Sequence, residues 1–178
     1  MKARLASFDK AREIAEKLAT DRLPDQHQID TYFRCDRGRL KLREINGQRA
    51  ELIWYERPDQ AEPKPSNYCL LDVEKPAAVK QSLIAALGVR LVVEKHREIH
   101  LYHNVRIHLD RVVDLGEFLE FEAVLGPDVS VDKGNSQVHY LRGQFSIADS
   151  DLRTGSYADI AAARLASAEQ AGDNTGTA

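Results

Sequence analysis

The chain has 178 residues, of which 43% are hydrophobic and 30% are charged, and its formal net charge is −3 at pH 7. This length allows one domain with a sizeable core, and the composition is typical of a soluble globular protein. The slightly acidic balance disfavours a nucleic-acid-binding protein, which usually carries a basic domain. No apolar stretch approaches the roughly 20 residues of a membrane-spanning helix.

The first predicted element is a helix over residues 7–20, because its apolar residues recur at helical spacing and Ser7 can serve as the N-cap. The opening stretch, MKARLASFDKAREIAEKL, carries too many charges for a secretory signal peptide. A cytoplasmic location is therefore expected. Leu23-Pro24 and the polar residues up to Gln28 predict a break after the helix.

Alternating patterns predict three strands in the next part of the chain, over residues 29–36, 40–45 and 50–57. Asn46-Gly47 joins the last two strands and is a strong hairpin signal, since both residues accept the positive φ of a tight turn. A polar loop over residues 59–67 and a further strand over residues 68–74 complete this run of strands.

Pro76 and Gly88 bracket a second predicted helix, because proline suits the first turn and glycine the residue after the last turn. Three strands and two helices follow it, over residues 89–103, 105–114, 117–126, 136–147 and 156–169. These elements predict an α+β fold around an antiparallel sheet that closes on itself. One domain is expected over residues 1–165, with a disordered tail over residues 166–178.

Charged side chains share one face of each predicted strand, because successive strand residues point to opposite sides. The segments also sort by sign, whereas a solvated face would more often mix the signs. The cations are Arg39, Lys41, Arg43, Arg57, Lys95 and Arg97, and the acids are Asp110, Glu120 and Glu122.

The opposite, apolar faces of these strands need cover, which amphipathic helices supply if they pack outside the sheet. The charged faces are then turned inward, and unpaired buried charges cost several kcal/mol each. Water and a polyanion such as a triphosphate relieve that cost, and carboxylates beside a polyphosphate require Mg²⁺ or Mn²⁺ between them. The pattern therefore predicts a basic wall for phosphates and an acidic wall for metal.

The ordered series of motifs resembles the CYTH superfamily, also called triphosphate tunnel metalloenzymes, and most closely its class IV adenylate cyclase-like branch. The resemblance covers residues 28–160 and rests on QIDTYFRCDRGRLKLRE, AELIWYERPD, KPSNY, ALGV, VVEKHR, NVRIHLDRVVDLGEFLEFEAV and GSYADI. It implies a closed or nearly closed antiparallel eight-stranded β-barrel, the tunnel, with helices outside. It also implies binding of a nucleoside triphosphate or another triphosphate together with Mg²⁺ or Mn²⁺. Because relatives include dimers, a homodimer is compatible with it.

The resemblance also implies roles for individual residues. The implied phosphate-binding residues are Lys2, Lys41, Arg43, Arg57, Lys64, Lys95, Arg97 and Arg106. The implied metal ligands, or supports for them, are Asp110, Glu120 and Glu122. Lys64 is the weakest of these assignments, because KPSNY departs from the commoner R-x-S-D-Y form.

The opening strand departs from the family pattern E-x-E-x-K, whose glutamates hold metal. Here the chain starts Met1-Lys2-Ala3-Arg4, so Lys2 matches the motif lysine while both glutamates are missing. Two interpretations are open. Either the start codon lies downstream of the true one, or half of the acidic wall is lost and this polypeptide binds triphosphate but turns it over poorly.

The branch resemblance favours an adenylate cyclase that converts ATP to cyclic AMP and pyrophosphate. An inorganic or organic triphosphatase, similar to thiamine triphosphatase, needs the same wall residues and stays open. The missing E-x-E favours a third reading, a non-catalytic nucleotide or polyphosphate-binding module. A lipocalin-like barrel for apolar ligands would instead place the charges outside, so the exposure of Lys41, Arg57 and Glu120 separates it from the others.

Histidines do not by themselves indicate a site. His108 lies on the charged face and is either an acid–base group or a hydrogen-bonded structural residue. His96, His100 and His103 have spacings of four and three, which suit a helix face, whereas their segment is a predicted strand. A metal site among these three is therefore not expected.

Overall fold

The computed structural model describes residues 1–56 and 67–173. Its strands are β1 Lys2–Arg4, β2 Asp21–Phe33, β3 Arg39–Ile45, β4 Arg49–Glu56, β5 Asn67–Asp72, β6 Val89–Tyr102, β7 Val105–Val112 and β8 Gly116–Ala123. Its helices are α1 Phe8–Leu18, α2 Pro76–Leu87, α3 Val131–Gln144 and α4 Tyr157–Asp173, and a short 3₁₀ turn spans Asp149–Asp151.

The strands form one eight-stranded sheet in the order β1-β8-β7-β6-β2-β3-β4-β5. Neighbouring strands pair antiparallel wherever consecutive strands are joined by a tight turn, as in β3–β4, β6–β7 and β7–β8. The predicted fold class, an α+β fold around one eight-stranded antiparallel sheet, is confirmed. The chain divides into two compact units, the first comprising residues 1–28 and 94–154 and the second residues 29–56, 67–93 and 155–173. The expectation of a single domain over residues 1–165 stays a prediction.

The core of the first unit lies between the apolar faces of β7 and β8 and the helices α1 and α3. Val105, Ile107 and Leu109 alternate along β7 and are fully buried in this cluster. They pack with apolar residues of β8 and of both helices, including Leu119, Phe121, Phe8, Ala15, Val138 and Leu141. The helices therefore cover the apolar face of these strands, as the alternation predicts.

The second unit is organised around the β3–β4 hairpin and a small core of Phe33, Leu42 and Ala50. Asn46 and Gly47 both have positive φ, 53° and 63°, which confirms the predicted turn. Gly38, just before β3, also has a positive φ, and a Cβ there would lie 2.8 Å from the backbone oxygen of Tyr55. Only glycine fits this close approach without displacing backbone.

The helix caps are largely as predicted. The Ser7 hydroxyl accepts the Lys10 N–H at the start of α1, and Pro76 occupies the first turn of α2 while Gly88 ends it. Helix α3 begins five residues earlier than expected, because Ser130 caps it and accepts the Lys133 N–H. Helix α4 continues to Asp173, so residues 166–173 are helical where a disordered tail is expected.

Strand β2 is the largest difference from the predicted elements, because it begins at Asp21 and includes the stretch where a break is predicted. Pairing within the sheet outweighs the weak strand preference of these polar residues. The first part of β2, including Pro24, is exposed. None of the helices in the described part of the chain combines the length and apolar composition that a membrane crossing requires.

Candidate functional site

In the first unit, charged side chains form two cross-strand rows on the face of β7 and β8 opposite the apolar core. The first row runs Lys2–Glu120–His108 across β1, β8 and β7. The second pairs Arg97 of β6 with Asp110 of β7. We call these five residues together with Lys95 the charged ladder. Directly opposite strand residues lie roughly 4.5–5.5 Å apart at Cβ, close enough for their charges to interact strongly.

Arg97 is the centre of the ladder. Its Nε and one terminal nitrogen donate to the two oxygens of Asp110, both at 2.6 Å. The same terminal nitrogen also donates to Glu120 at 3.0 Å. Lys2, Lys95, Arg97, His108 and Asp110 are all buried, and Lys95 is only 1% exposed. A bidentate arginine fork of this kind holds both carboxylates in fixed positions.

The acids of the ladder are ionised. Burial opposes ionisation of Glu120, but the charges of Lys2 and Arg97 hold its pKa well below the ordinary value. Burial likewise raises the pKa of Asp110, and attraction to Arg97 and Lys95 outweighs it, so the net shift is downward. The ladder therefore presents fixed negative charge beside buried cations.

His108 lies between the acids but is held neutral. Burial, together with the nearby charge of Arg97, lowers its pKa. Its Nδ1 is 3.8 Å from Glu120 and its Nε2 is 3.9 Å from Glu122, both beyond direct hydrogen-bond distance. A neutral imidazole beside two carboxylates can donate or accept a proton when a ligand lies between them.

Arg106 and Glu122 continue the same face toward its exposed end. Arg106 donates to Glu122 at 3.3 Å, and their side chains are 46% and 44% exposed. Solvent screens this pair, so each side chain can exchange its partner for a ligand at small cost. Of the residues predicted for the site, the first unit therefore groups Lys2, Lys95, Arg97, Arg106, Asp110, Glu120 and Glu122 on one face.

The second unit holds a separate cluster around Asp30, which is 0% exposed. Lys41 donates to one carboxylate oxygen at 2.9 Å, and Arg43 spans both oxygens at 2.8 and 2.9 Å. Lys41 also lies 5.4 Å from the centre of the Tyr32 ring. Lys41 and Arg43, both predicted to bind phosphate, therefore share one carboxylate. The segments that the sequence sorted as cationic thus have an acid, Asp30, beside them.

Sequence reasoning missed Asp30, although its signal is present. Asp30 and Tyr32 are two apart in IDTYFRCD, so they lie on one side of β2. The pKa of Tyr32 is raised well above its ordinary value, first by burial and then by the charge of Asp30. Lys41 is 7% exposed and the Glu120 side chain 19%, which contradicts the lipocalin-like alternative.

Asp159 forms a second anchor in this unit, at the start of α4. It pairs with Arg39 and Arg90, each at 2.9 Å, and accepts the Ser156 N–H and hydroxyl at 2.8 and 2.7 Å. Burial raises the pKa of Asp159, but the bonds from Ser156 and the two arginines lower it to about 2. The GSYADI stretch therefore caps a helix and positions two arginines.

The low pKa of Asp159 predicts an acid-labile contribution to stability. A carboxylate whose folded pKa is depressed stabilises the fold above its unfolded pKa, here near 3.8, and loses that contribution as pH falls toward about 2. We expect Asp159→Asn to cost about 1–2 kcal/mol at pH 7, and the difference from wild type to shrink between pH 4 and pH 2. Urea unfolding of both proteins across this range measures it. A difference that stays constant down to pH 2 would contradict the assignment.

Two predicted phosphate-binding residues, Arg57 and Lys64, lie outside the described residues, and their roles stay predictions. The acids suit a hard divalent cation, since carboxylate oxygens are the ligands that Mg²⁺ and Mn²⁺ prefer. Glu120 is ionised, and Glu122 lies two residues further along the same face. Asp110 has both oxygens bonded by Arg97, so it is better placed to support the site than to bind metal.

This chain is similar to several known proteins. The sequence model of the CYTH domain family matches residues 1–157. Similar solved structures include the PH1012 protein of Pyrococcus horikoshii OT3, at 22% identity and a TM-score of 0.78, covering 89% of this chain and 95% of that one. A Vibrio parahaemolyticus protein provisionally named an adenylate cyclase has 18% identity and a TM-score of 0.77, with coverage of 91% and 95%.

A Bacillus halodurans protein, also provisionally named an adenylate cyclase, has 17% identity and a TM-score of 0.62, covering 88% of this chain and 92% of that one. At identities this low, the structural similarity establishes the shared fold alone. No curated protein sequence matches the chain.

Proposed function

The chain belongs to the CYTH domain family, and from this membership we propose that it is a metal-dependent enzyme acting on a triphosphate. We propose an adenylate cyclase-like reaction, ATP to cyclic AMP and pyrophosphate, as the activity. The resemblance of its motifs to the class IV branch supports this choice. So does the likeness in fold to two proteins provisionally named adenylate cyclases.

The observation that carries the proposal is the charged ladder. It places buried Lys2, Lys95 and Arg97 beside ionised Asp110 and Glu120 on one face. Buried cationic side chains bind phosphate oxygens more strongly than exposed ones, because less water competes for the phosphate and screens the charges. A stable fold alone seldom keeps this many charges buried, since burial costs several kcal/mol per ion.

Each residue of the ladder has a proposed role. Lys95 and Lys2 bind phosphate oxygens as point charges, and Arg97 orients Asp110 and Glu120 while contributing its own charge. Arg106 binds phosphate by exchanging Glu122 for the ligand, and Lys41, Arg43, Arg57 and Lys64 are proposed as further phosphate-binding residues. These cations offset the charge that develops on phosphate oxygens in the transition state.

Glu120 and Glu122 would hold the divalent cation, with Asp110 as their support through Arg97. The ion supplies Lewis-acid stabilisation of phosphoryl oxygens when it is bound. Because the pKa of Glu120 is held well below its ordinary value, this carboxylate does not have to lose a proton before it binds the ion. Mg²⁺ and Mn²⁺ both suit these oxygen donors.

Product assays test the reaction. ATP and tripolyphosphate are each incubated with the protein and Mg²⁺ or Mn²⁺, and cyclic AMP, pyrophosphate and orthophosphate are measured. We expect cyclic AMP and pyrophosphate in equal amounts from ATP. Orthophosphate from either substrate without cyclic AMP would replace the cyclase by a triphosphatase. Binding without any product would instead leave a non-catalytic polyphosphate-binding module.

Lys95 offers a direct test of the triphosphate site. We expect Lys95→Met, which keeps most of the side-chain volume and removes its charge, to weaken tripolyphosphate binding by about 1.5–3 kcal/mol, roughly 10- to 150-fold. Calorimetric titration measures the affinity. Lys133→Met, at an exposed lysine of α3, is the matched control and is expected to leave it unchanged. Equal affinities in all three proteins would refute the role of the ladder.

A further inference from the structure

Two histidines and a glutamate meet on adjacent strands of the first unit, on the face of β6 opposite Lys95 and Arg97. His27 lies on β2, and Glu94 and His96 lie on β6, the neighbouring strand in the sheet. Because Glu94 and His96 are two residues apart, they point to the same face of β6. The strand pairing therefore brings three potential metal ligands together from two rigid elements.

His27 is in contact with both of the other side chains. His27 Nε2 is 2.8 Å from a carboxylate oxygen of Glu94, and the His27 and His96 rings stack with their centres 4.7 Å apart. One ligand atom from each residue lies within 4.8 Å of the other two. Ligands of a tetrahedral zinc ion are roughly 3.3 Å apart, given bonds of about 2.0–2.1 Å. Small rotations of these side chains close the difference.

We propose that His27, Glu94 and His96 bind a late first-row divalent cation such as Zn²⁺. Two imidazoles and one carboxylate are a donor set that suits Zn²⁺, Cu²⁺ and Ni²⁺, whereas Mg²⁺ prefers oxygen ligands alone. The side chains of His27 and Glu94 are 36% and 46% exposed, so water can reach the site and complete a fourth position. Three protein ligands with one open position is the arrangement of zinc sites that bind an exchangeable ligand.

This site differs in chemistry from the one proposed for the triphosphate. The triphosphate site offers carboxylates for a hard cation, while this cluster offers nitrogen donors. From the sequence alone, His96 was compared with His100 and His103, whose spacings of four and three would suit metal ligands on a helix but not on a strand. The partner of His96 is instead His27, almost seventy residues away and aligned with it by sheet pairing.

Zinc titration tests the proposal, carried out by calorimetry on the full chain in excess Mg²⁺ so that the carboxylate site is occupied. We expect one tight Zn²⁺ per chain in the wild type, and affinity reduced roughly tenfold or more in His27→Ala and in His96→Ala. His139→Ala, at an exposed histidine of α3, is the matched control and is expected to bind as the wild type does. Wild-type affinity no higher than that of the His27→Ala, His96→Ala double variant would overturn the proposal.

A spectroscopic readout identifies the ligands independently of affinity. With one equivalent of Cu²⁺, paramagnetic resonance of the wild type should show coupling to nitrogen nuclei of two imidazoles. Each single variant should retain coupling to one imidazole, and Glu120→Gln should retain both. Nitrogen coupling that is absent in the wild type, or unchanged in both single variants, would also overturn the proposal. Neither experiment depends on turnover of a triphosphate.

Discussion

Replacing Asp30 by Asn is expected to lower the free energy of unfolding by about 3–5 kcal/mol, the usual cost of breaking a buried ion pair from one side. Asp30 is 0% exposed and accepts hydrogen bonds from Lys41 and Arg43. The amide of Asn keeps the shape but removes the negative charge. Two cations would then face each other without the carboxylate that separates them. Urea unfolding at pH 7 measures the change.

Asp36→Asn is the matched control, because Asp36 lies exposed just before β3. It is expected to change stability by less than about 0.5 kcal/mol. The triple variant Asp30→Asn, Lys41→Met, Arg43→Met removes all three charges and should recover part of the loss, since a charge-free cluster leaves no ion unpaired. A loss below about 1 kcal/mol in Asp30→Asn would show that the carboxylate is not what stabilises this cluster.

Most of the fold was predicted from the alternation of apolar and charged residues, because successive side chains of a strand point to opposite faces. The apolar residues Val105, Ile107 and Leu109 identify the face of β7 that the helices cover. The intervening charges then identify the opposite face, and the Asn46-Gly47 turn fixes the β3–β4 register. Each of these signals acts within about ten residues of the chain.

The pairings between distant segments could not be predicted in the same way. Asp30 neutralises Lys41 and Arg43 because β2 adjoins β3, and His27 meets His96 because β2 also adjoins β6. In the sequence, residues 21–28 are a polar stretch with a proline, and their strand conformation comes from the neighbouring strands. Contacts of this kind depend on strand order and register, neither of which a local pattern encodes.

The sequence likewise could not show which partners bind the carboxylate oxygens of the predicted metal ligands. Spacing places Asp110, Glu120 and Glu122 on one face, but it gives no sign that Arg97 binds both oxygens of Asp110. In the structure Arg97 occupies both oxygens of Asp110, whereas the oxygens of Glu120 and Glu122 face His108 or solvent. The proposed metal ligands are the latter two.

Glu120→Gln is expected to reduce metal-dependent turnover of the triphosphate by about 100- to 1000-fold, or about 2.7–4 kcal/mol of transition-state stabilisation. The substitution keeps the size of the side chain and an acceptor for Arg97, but it removes the charge that would bind the cation. The Mg²⁺ concentration for half-maximal rate should rise as well, because one anionic ligand is lost. Initial rates measured across a Mg²⁺ titration separate these two effects.

Glu117→Gln is the control for this change, since Glu117 lies on the same strand but on the opposite face and pairs with Arg111 at 3.3 Å. Its rates and Mg²⁺ dependence should match those of the wild type. Thermal unfolding of the Glu120 variant shows whether lost attraction to Lys2 and Arg97 has disturbed the fold. If Glu120→Gln folds normally and keeps the wild-type Mg²⁺ titration, the cation is bound elsewhere. The charged ladder would then act on phosphate alone, through its lysines and Arg97.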